Sequence, residues 1–261
     1  MPQPVDLAYR SYGAGEPLIV LHGLFGSARN WHSIAQALGE RWRVYTLDLR
    51  NHGASGWSDD ASYPALAADL EAFLETHAPA GALVVGHSMG GKAAMALALS
   101  HPELVRALAV LDMAPVEYRH GGGHLEYIEA MRGMDLQAVR RRADADQALA
   151  AVVPEPGIRQ FLLQNLVSEE GAFSWRINLE ALAAAMPQIM GFPAPLLSRS
   201  YQGPTLFLHG GRSEYLLPEH HPLIRRLFPA ATIRALPGAG HWLHAEQPDA
   251  VRRALEEFLP G

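Results

Sequence analysis

The sequence contains no cysteine, so disulfides, a thiol nucleophile and thiolate metal sites are all excluded. It contains a single lysine, Lys92; the other 20 of its 21 basic residues are arginine. Charged residues make up only 18% of the 261 positions, the net charge is −6, and no basic run is long enough to track a phosphate backbone. Nucleic acid is therefore not an expected partner. No apolar run reaches the roughly 18 residues that a bilayer-spanning helix needs, and MPQPVDLAYRSYG lacks the basic-then-apolar pattern of a secretion signal. The expected setting is the cytoplasm, with no membrane span.

What is present is ordinary globular composition, 49% hydrophobic, enough to bury a large core. Short apolar runs (PLIVLHG, WRVYTLDL, ALVVGHS, VRALAVLDM, PTLFLHG and ATIRALPG) alternate with helix-periodic segments such as PALAADLEAFLETHA and DAVRRALEEFL. Such alternation marks parallel βαβ units with helices on both faces. VDLAYRSYG adds one or two antiparallel edge strands, for a mostly parallel sheet of about eight. From about residue 114 to 200 the pattern changes to helices (EYIEAMRGM, DLQAVRRRADADQALAAVV, GIRQFLLQNLV, NLEALAAAMPQIMGF) with no convincing strand among them. Residues 1–113 and 198–261 are thus expected to form an α/β core, and 114–197 a helical lid inserted in it. Arg140 to Arg142 read as a solvated helix face.

One G-x-S-x-G stretch occurs, Gly86-His87-Ser88-Met89-Gly90, directly after ALVV and before KAAMALAL. A serine on a tight strand-to-helix turn needs small neighbours, and the turn lifts its hydroxyl above the carboxyl edge of the sheet. Ser88 is therefore the expected nucleophile rather than a mere helix cap. Because a serine hydroxyl is a weak nucleophile, it needs a histidine oriented by a carboxylate. Folds with this elbow run serine, acid, histidine along the chain. Of the 13 histidines, His241 in LPGAGHWLHAEQP meets that order best, in a glycine-rich loop after the last strand; His244 is expected to pack. The oxyanion needs two preorganised N–H groups. Met89 supplies one and LHGLFGSARNW the other, from Leu24 with Phe25 as the neighbouring candidate. The HGGG at 120 and the HGG at 209 follow the wrong strands for this role. His120, His124, His220 and His221 are not expected to form a metal site, because His120 and His124 flank three glycines rather than sharing a rigid helix.

These motifs resemble the α/β-hydrolase family: LHGLFGSARNW, DLRNHGASG, GHSMGGKAAM, LDMAPVEY and GAGHWLHAEQP span the core from residue 17 to the end. More narrowly, DLRNHGxS, GHSMGGK, D-x-APVxY and FSWRINL resemble the small YbfF-like esterases and related mitochondrial α/β-hydrolase domain proteins. The resemblance implies hydrolysis of short to medium acyl esters, with acyl thioesters as a second class, and no metal or organic cofactor. In most of the family the acid is an aspartate shortly after the strand that here reads PTLFLHG. This sequence departs from that pattern, with Ser213 at that position and Glu214 beside it. The other site for the acid is the end of VRALAVLDM, which the narrower resemblance also favours, so Asp112 is the expected acid and Glu214 the alternative.

Phe25, Met113, Tyr118 and Trp242 flank these positions and are expected substrate-pocket walls, together with Met89. Met131, Met134, Met186, Met190, Phe173 and Trp175 are assigned to the lid core, and Arg50 and Asn51 to structural bonding. The expected partner is a small acyl ester, with the chain a monomer or homodimer. The competing functions are a carbon–carbon hydrolase or menaquinone-synthesis-type lyase using the same constellation, and a non-catalytic ligand receptor.

Overall fold

The computed structural model describes residues 2–119 and 123–260; His120 to Gly122 of the HGGG stretch lie outside them. The chain enters through β1 (Tyr9–Tyr12), β2 (Pro17–Leu21), α1 (His32–Leu38), β3 (Arg43–Leu47), α2 (Tyr63–His77), β4 (Ala82–His87), α3 (Met89–Ser100) and β5 (Val105–Leu111). The long connection that follows carries α4 (His124–Arg132), α5 (Arg142–Leu149), α6 (Pro156–Leu163), strands β6 (Leu166–Glu169) and β7 (Ala172–Trp175), and α7 (Leu179–Met190). The chain then returns to the sheet as β8 (Thr205–Gly210), α8 (His221–Leu227), β9 (Ala231–Leu236), α9 (Leu243–Glu246) and α10 (Pro248–Phe258).

The central sheet has seven strands in the order β1-β3-β2-β4-β5-β8-β9, all parallel except β1, which runs antiparallel to β3. Seven rather than about eight form because the N-terminal segment supplies one edge strand. Val5 N–H goes to the Asp69 carboxylate at 2.7 Å and Asp6 C=O accepts from Gly56 N–H at 3.0 Å, so these residues are committed to α2 and a loop. β4 is buried at every position, as a central parallel strand covered on both faces must be. One face packs on α2, α3 and the long connection, through residues such as Leu66, Leu70, Leu97 and Leu182. The other packs on α1, the turn before it and α10, through Trp31, Ile34, Leu38, Val251 and Leu255.

The connection from β5 to β8 is not purely helical. β6 and β7 pair antiparallel around Glu170 and Gly171, whose φ values of 51° and 84° suit a two-residue hairpin turn. The sequence hides the hairpin because Leu166, its first residue, is the last of the apolar run FLLQNL, which reads as helix. By composition Leu179–Ser198 could pass for a membrane span, yet α7 stops at Met190 and buries Ala185, Met186 and Ile189 against the fold. Of the three arginines read as a solvated face, Arg142 uses its guanidinium to hold the carbonyls of Leu163 and Leu166, tying α5 to the hairpin.

Candidate active site

Ser88 sits between β4 and α3 with φ 54° and ψ −121°, a left-handed conformation that costs a non-glycine residue about 1–3 kcal/mol. The elbow closes only because its neighbours lack side chains. A Cβ on Gly86 would meet the Gly90 carbonyl at 2.3 Å, and one on Gly90 would meet the His22 carbonyl at 2.4 Å. Of the five non-glycine residues with positive φ among those described, three belong to this site: Phe25, Ser88 and Asp112.

His241, in the loop after β9, places Nε2 3.1 Å from Ser88 Oγ and Nδ1 2.7 Å from Asp112 Oδ2. Asp112 directly follows β5 and is fully buried. Its Oδ1 accepts from Gly210 N–H at 2.9 Å, and its Oδ2 also accepts from the Ser213 hydroxyl. Ser213 therefore occupies the position at which most of the resembled family carries its acid and holds the carboxylate of Asp112, while Glu214 is exposed and is not bonded to His241. Tyr215 stacks on the His241 ring at 3.9 Å between centroids. His87 anchors the backbone behind it, its Nε2 lying 2.8 Å from the His241 carbonyl; since a carbonyl only accepts, that nitrogen carries the proton.

The loop after β2 turns over the serine. Phe25 N–H, one of the two expected donors, points to His52 Nε2 at 3.3 Å, and the Phe25 carbonyl accepts from Asn165 of the β5–β8 connection at 2.9 Å. Phe25 N–H is thus directed at His52, whereas the other candidate from this loop has no such partner. Leu24 N–H has no acceptor among the described residues, and Met89 N–H belongs to the first turn of α3, where no intrahelical acceptor exists. Both remain free for a ligand. The structural roles expected of Arg50 and Asn51 hold in the geometry. Arg50 makes a buried ion pair with Asp69 at 2.6 Å, and Asn51 bonds Ser58 and Asn178.

Two cavities meet at Ser88. The larger, about 210 Å³, contains His241 and is walled by Phe25, Tyr127, Phe161, Tyr215 and Trp242. The smaller, about 20 Å³, is walled by Met89, Met113, Tyr118, Tyr63, Lys92, Ile189 and Met190. Leu24, Ser88, His124 and Tyr215 border both. The four expected wall residues are thus split, Phe25 and Trp242 to the larger cavity and Met113 and Tyr118 to the smaller. Met190, assigned from sequence to a packing role, faces the smaller cavity, while Met131 and Met186 are core. Lys92 is 1% exposed; burial lowers its pKa to about 7, with Glu117 opposing the shift.

Buried imidazoles surround the site. Burial lowers His52 to about 3 and His244 to about 4, and it also lowers His22 and His87. His244 packs as expected, stacked on Trp31 at 4.7 Å. All four stay neutral in the fold but take up protons near pH 6.5 once unfolded. Unfolding therefore binds protons, and stability falls as pH drops below about 6.5. By pH 5, His52 and His244 alone should each remove about 2 kcal/mol. The urea midpoint is expected to drop sharply between pH 7 and pH 5, and an unchanged midpoint would contradict the neutral assignment.

Comparison with known proteins places these motifs in context. The α/β-hydrolase family model matches residues 18–254. The chain is 45% identical to a mouse protein named sn-1-specific diacylglycerol lipase ABHD11, an alignment that covers 98% of this chain and 86% of that one. It is 36% identical to the Escherichia coli esterase YbfF, over 93% of this chain and 92% of that protein. A solved structure described as a marine microorganism esterase superposes with a TM-score of 0.93 at 38% identity, covering 98% of this chain and all of that one.

Proposed function

This chain belongs to the α/β-hydrolase family, and we propose that it is a carboxylic ester hydrolase working through Ser88, His241 and Asp112. The observation that carries this reading is the unbroken hydrogen-bonded chain from Asp112 through His241 to Ser88, opening into a cavity of about 210 Å³. Relatives and a structural neighbour named as esterases and a lipase support the ester-hydrolase class.

His241 Nε2 takes the Ser88 proton as Oγ attacks the acyl carbon, and the imidazolium is stabilised by Asp112. The N–H groups of Leu24 and Met89 receive the charge that develops on the carbonyl oxygen, a contribution of roughly 10²–10³ in rate per donor in comparable sites. His241 then returns the proton to the departing alcohol. Water, deprotonated by the same imidazole, releases the acyl group from Ser88. The described part of the 114–197 segment acts as a cap that walls the site with α4, α6 and α7. Substrates are short to medium acyl esters, with acyl thioesters tested in the same series.

Purified protein mixed with p-nitrophenyl butyrate should give a burst of p-nitrophenol followed by steady multiple turnover. Stoichiometric binding without turnover would instead support a receptor, and complete inertness towards esters would favour carbon–carbon bond cleavage.

A further inference from the structure

The two cavities differ in one chemical respect that decides what each holds. The leaving alcohol must receive its proton from His241, so it has to lie in the compartment containing that imidazole. Only the larger cavity contains it. The smaller borders Ser88 and carries Met89 but not His241, so it is placed for the other substituent of the acyl carbon.

We propose that the smaller cavity is the acyl site and that Lys92, by fixing the C-terminal end of α7, restricts it to short acyl chains, from acetyl to about butyryl. This rests on the Ser88 ester-hydrolase reading. The volume of about 20 Å³ is little more than one water-sized group requires, so the methyl of acetyl fits as the site stands and each methylene beyond it, butyryl's included, must press the wall outward. That wall is unusually well held. Lys92 lies four residues after Ser88 on α3, and its ammonium donates to the carbonyls of Met190 at 2.8 Å, Gly191 at 2.6 Å and Ile189 at 3.4 Å. Tyr63 adds its hydroxyl to the Ile189 carbonyl at 2.7 Å, and Tyr118 N–H adds to that of Met190 at 2.9 Å. In its protonated form the amine is a cation at a helix C-terminus, a favourable placement on its own, and the Tyr118 ring also faces the Lys92 nitrogen at 4.7 Å. The helix that begins directly after the serine thus fixes the far wall of the acyl site, making Lys92 a positioning residue for specificity.

The test is kcat/KM across p-nitrophenyl acetate, butyrate, hexanoate and octanoate. Forcing methylenes into a filled, rigid site should make the octanoate roughly 10- to 100-fold poorer than the butyrate. Met190→Ala and Lys92→Met should each shrink that ratio several-fold, the first by enlarging the site and the second by releasing its wall. Phe161→Ala, in the larger cavity, should leave the acyl ratio alone and change the preference between p-nitrophenyl and ethyl esters. Wild-type protein that cleaves octanoate as well as butyrate overturns the assignment even if a variant fails to fold, and so does a ratio unmoved by folded Met190→Ala. Failure of wild-type protein on every ester, by contrast, defeats the ester-hydrolase reading itself, and the acyl assignment falls with it.

Discussion

Replacing Ser88 with alanine is expected to lower kcat for p-nitrophenyl butyrate by roughly 10⁵- to 10⁶-fold, the scale seen when a serine nucleophile is removed from such a constellation. What remains should be the modest acceleration that the oxyanion donors and binding still supply. The fold should survive, because alanine replaces only a hydroxyl at a backbone position that the Gly86 and Gly90 contacts already enforce. A thermal melt that matches wild type, measured beside the loss of turnover, separates chemistry from unfolding. Retention of more than a few per cent of the rate would mean that Ser88 is not the attacking group.

Asp112→Asn should cost roughly 10⁴-fold in turnover by the tautomer effect known for serine proteases. The cause is specific to the local bonding. Asp112 Oδ1 accepts from Gly210 N–H, while Oδ2 faces His241 Nδ1. If the asparagine oxygen keeps the Gly210 bond, its amide group must donate to His241 Nδ1. The ring proton then moves to Nε2, facing Ser88, where a base is needed. Glu214→Gln should stay near the wild-type rate, since Glu214 is exposed and not bonded to the imidazole. The reverse pattern, with Asp112→Asn near normal and Glu214→Gln inactive, would move the acid to the loop after β8.

The parts of this site that sequence makes legible are those whose constraint is local. The elbow announces itself because only glycine fits at 86 and 90, and His241 is marked by a glycine-rich loop after the final strand. The acid is harder, because β5 and β8 are neighbours in the sheet and their carboxyl ends deliver side chains to one point. Asp112 and Ser213 are 101 positions apart yet hydrogen-bonded, a relation that no local pattern encodes. The same holds for Tyr215 against His241, and for Lys92 against the end of α7. Each contact exists only after the long β5–β8 connection folds back over the sheet. The β6–β7 hairpin was hidden for the opposite reason, since its first strand is short and continues a helical apolar run.

The measurement closest to the central claim is the covalent intermediate itself. The protein should be mixed rapidly with p-nitrophenyl acetate, quenched in acid during the burst, digested and analysed by peptide mass. The account predicts an acetyl group on the peptide spanning Gly86 to Gly90, localised to Ser88, formed and lost at rates compatible with turnover and absent from Ser88→Ala. Steady hydrolysis with no acyl group on that peptide at any time point, or an acyl group carried by another residue, would contradict it.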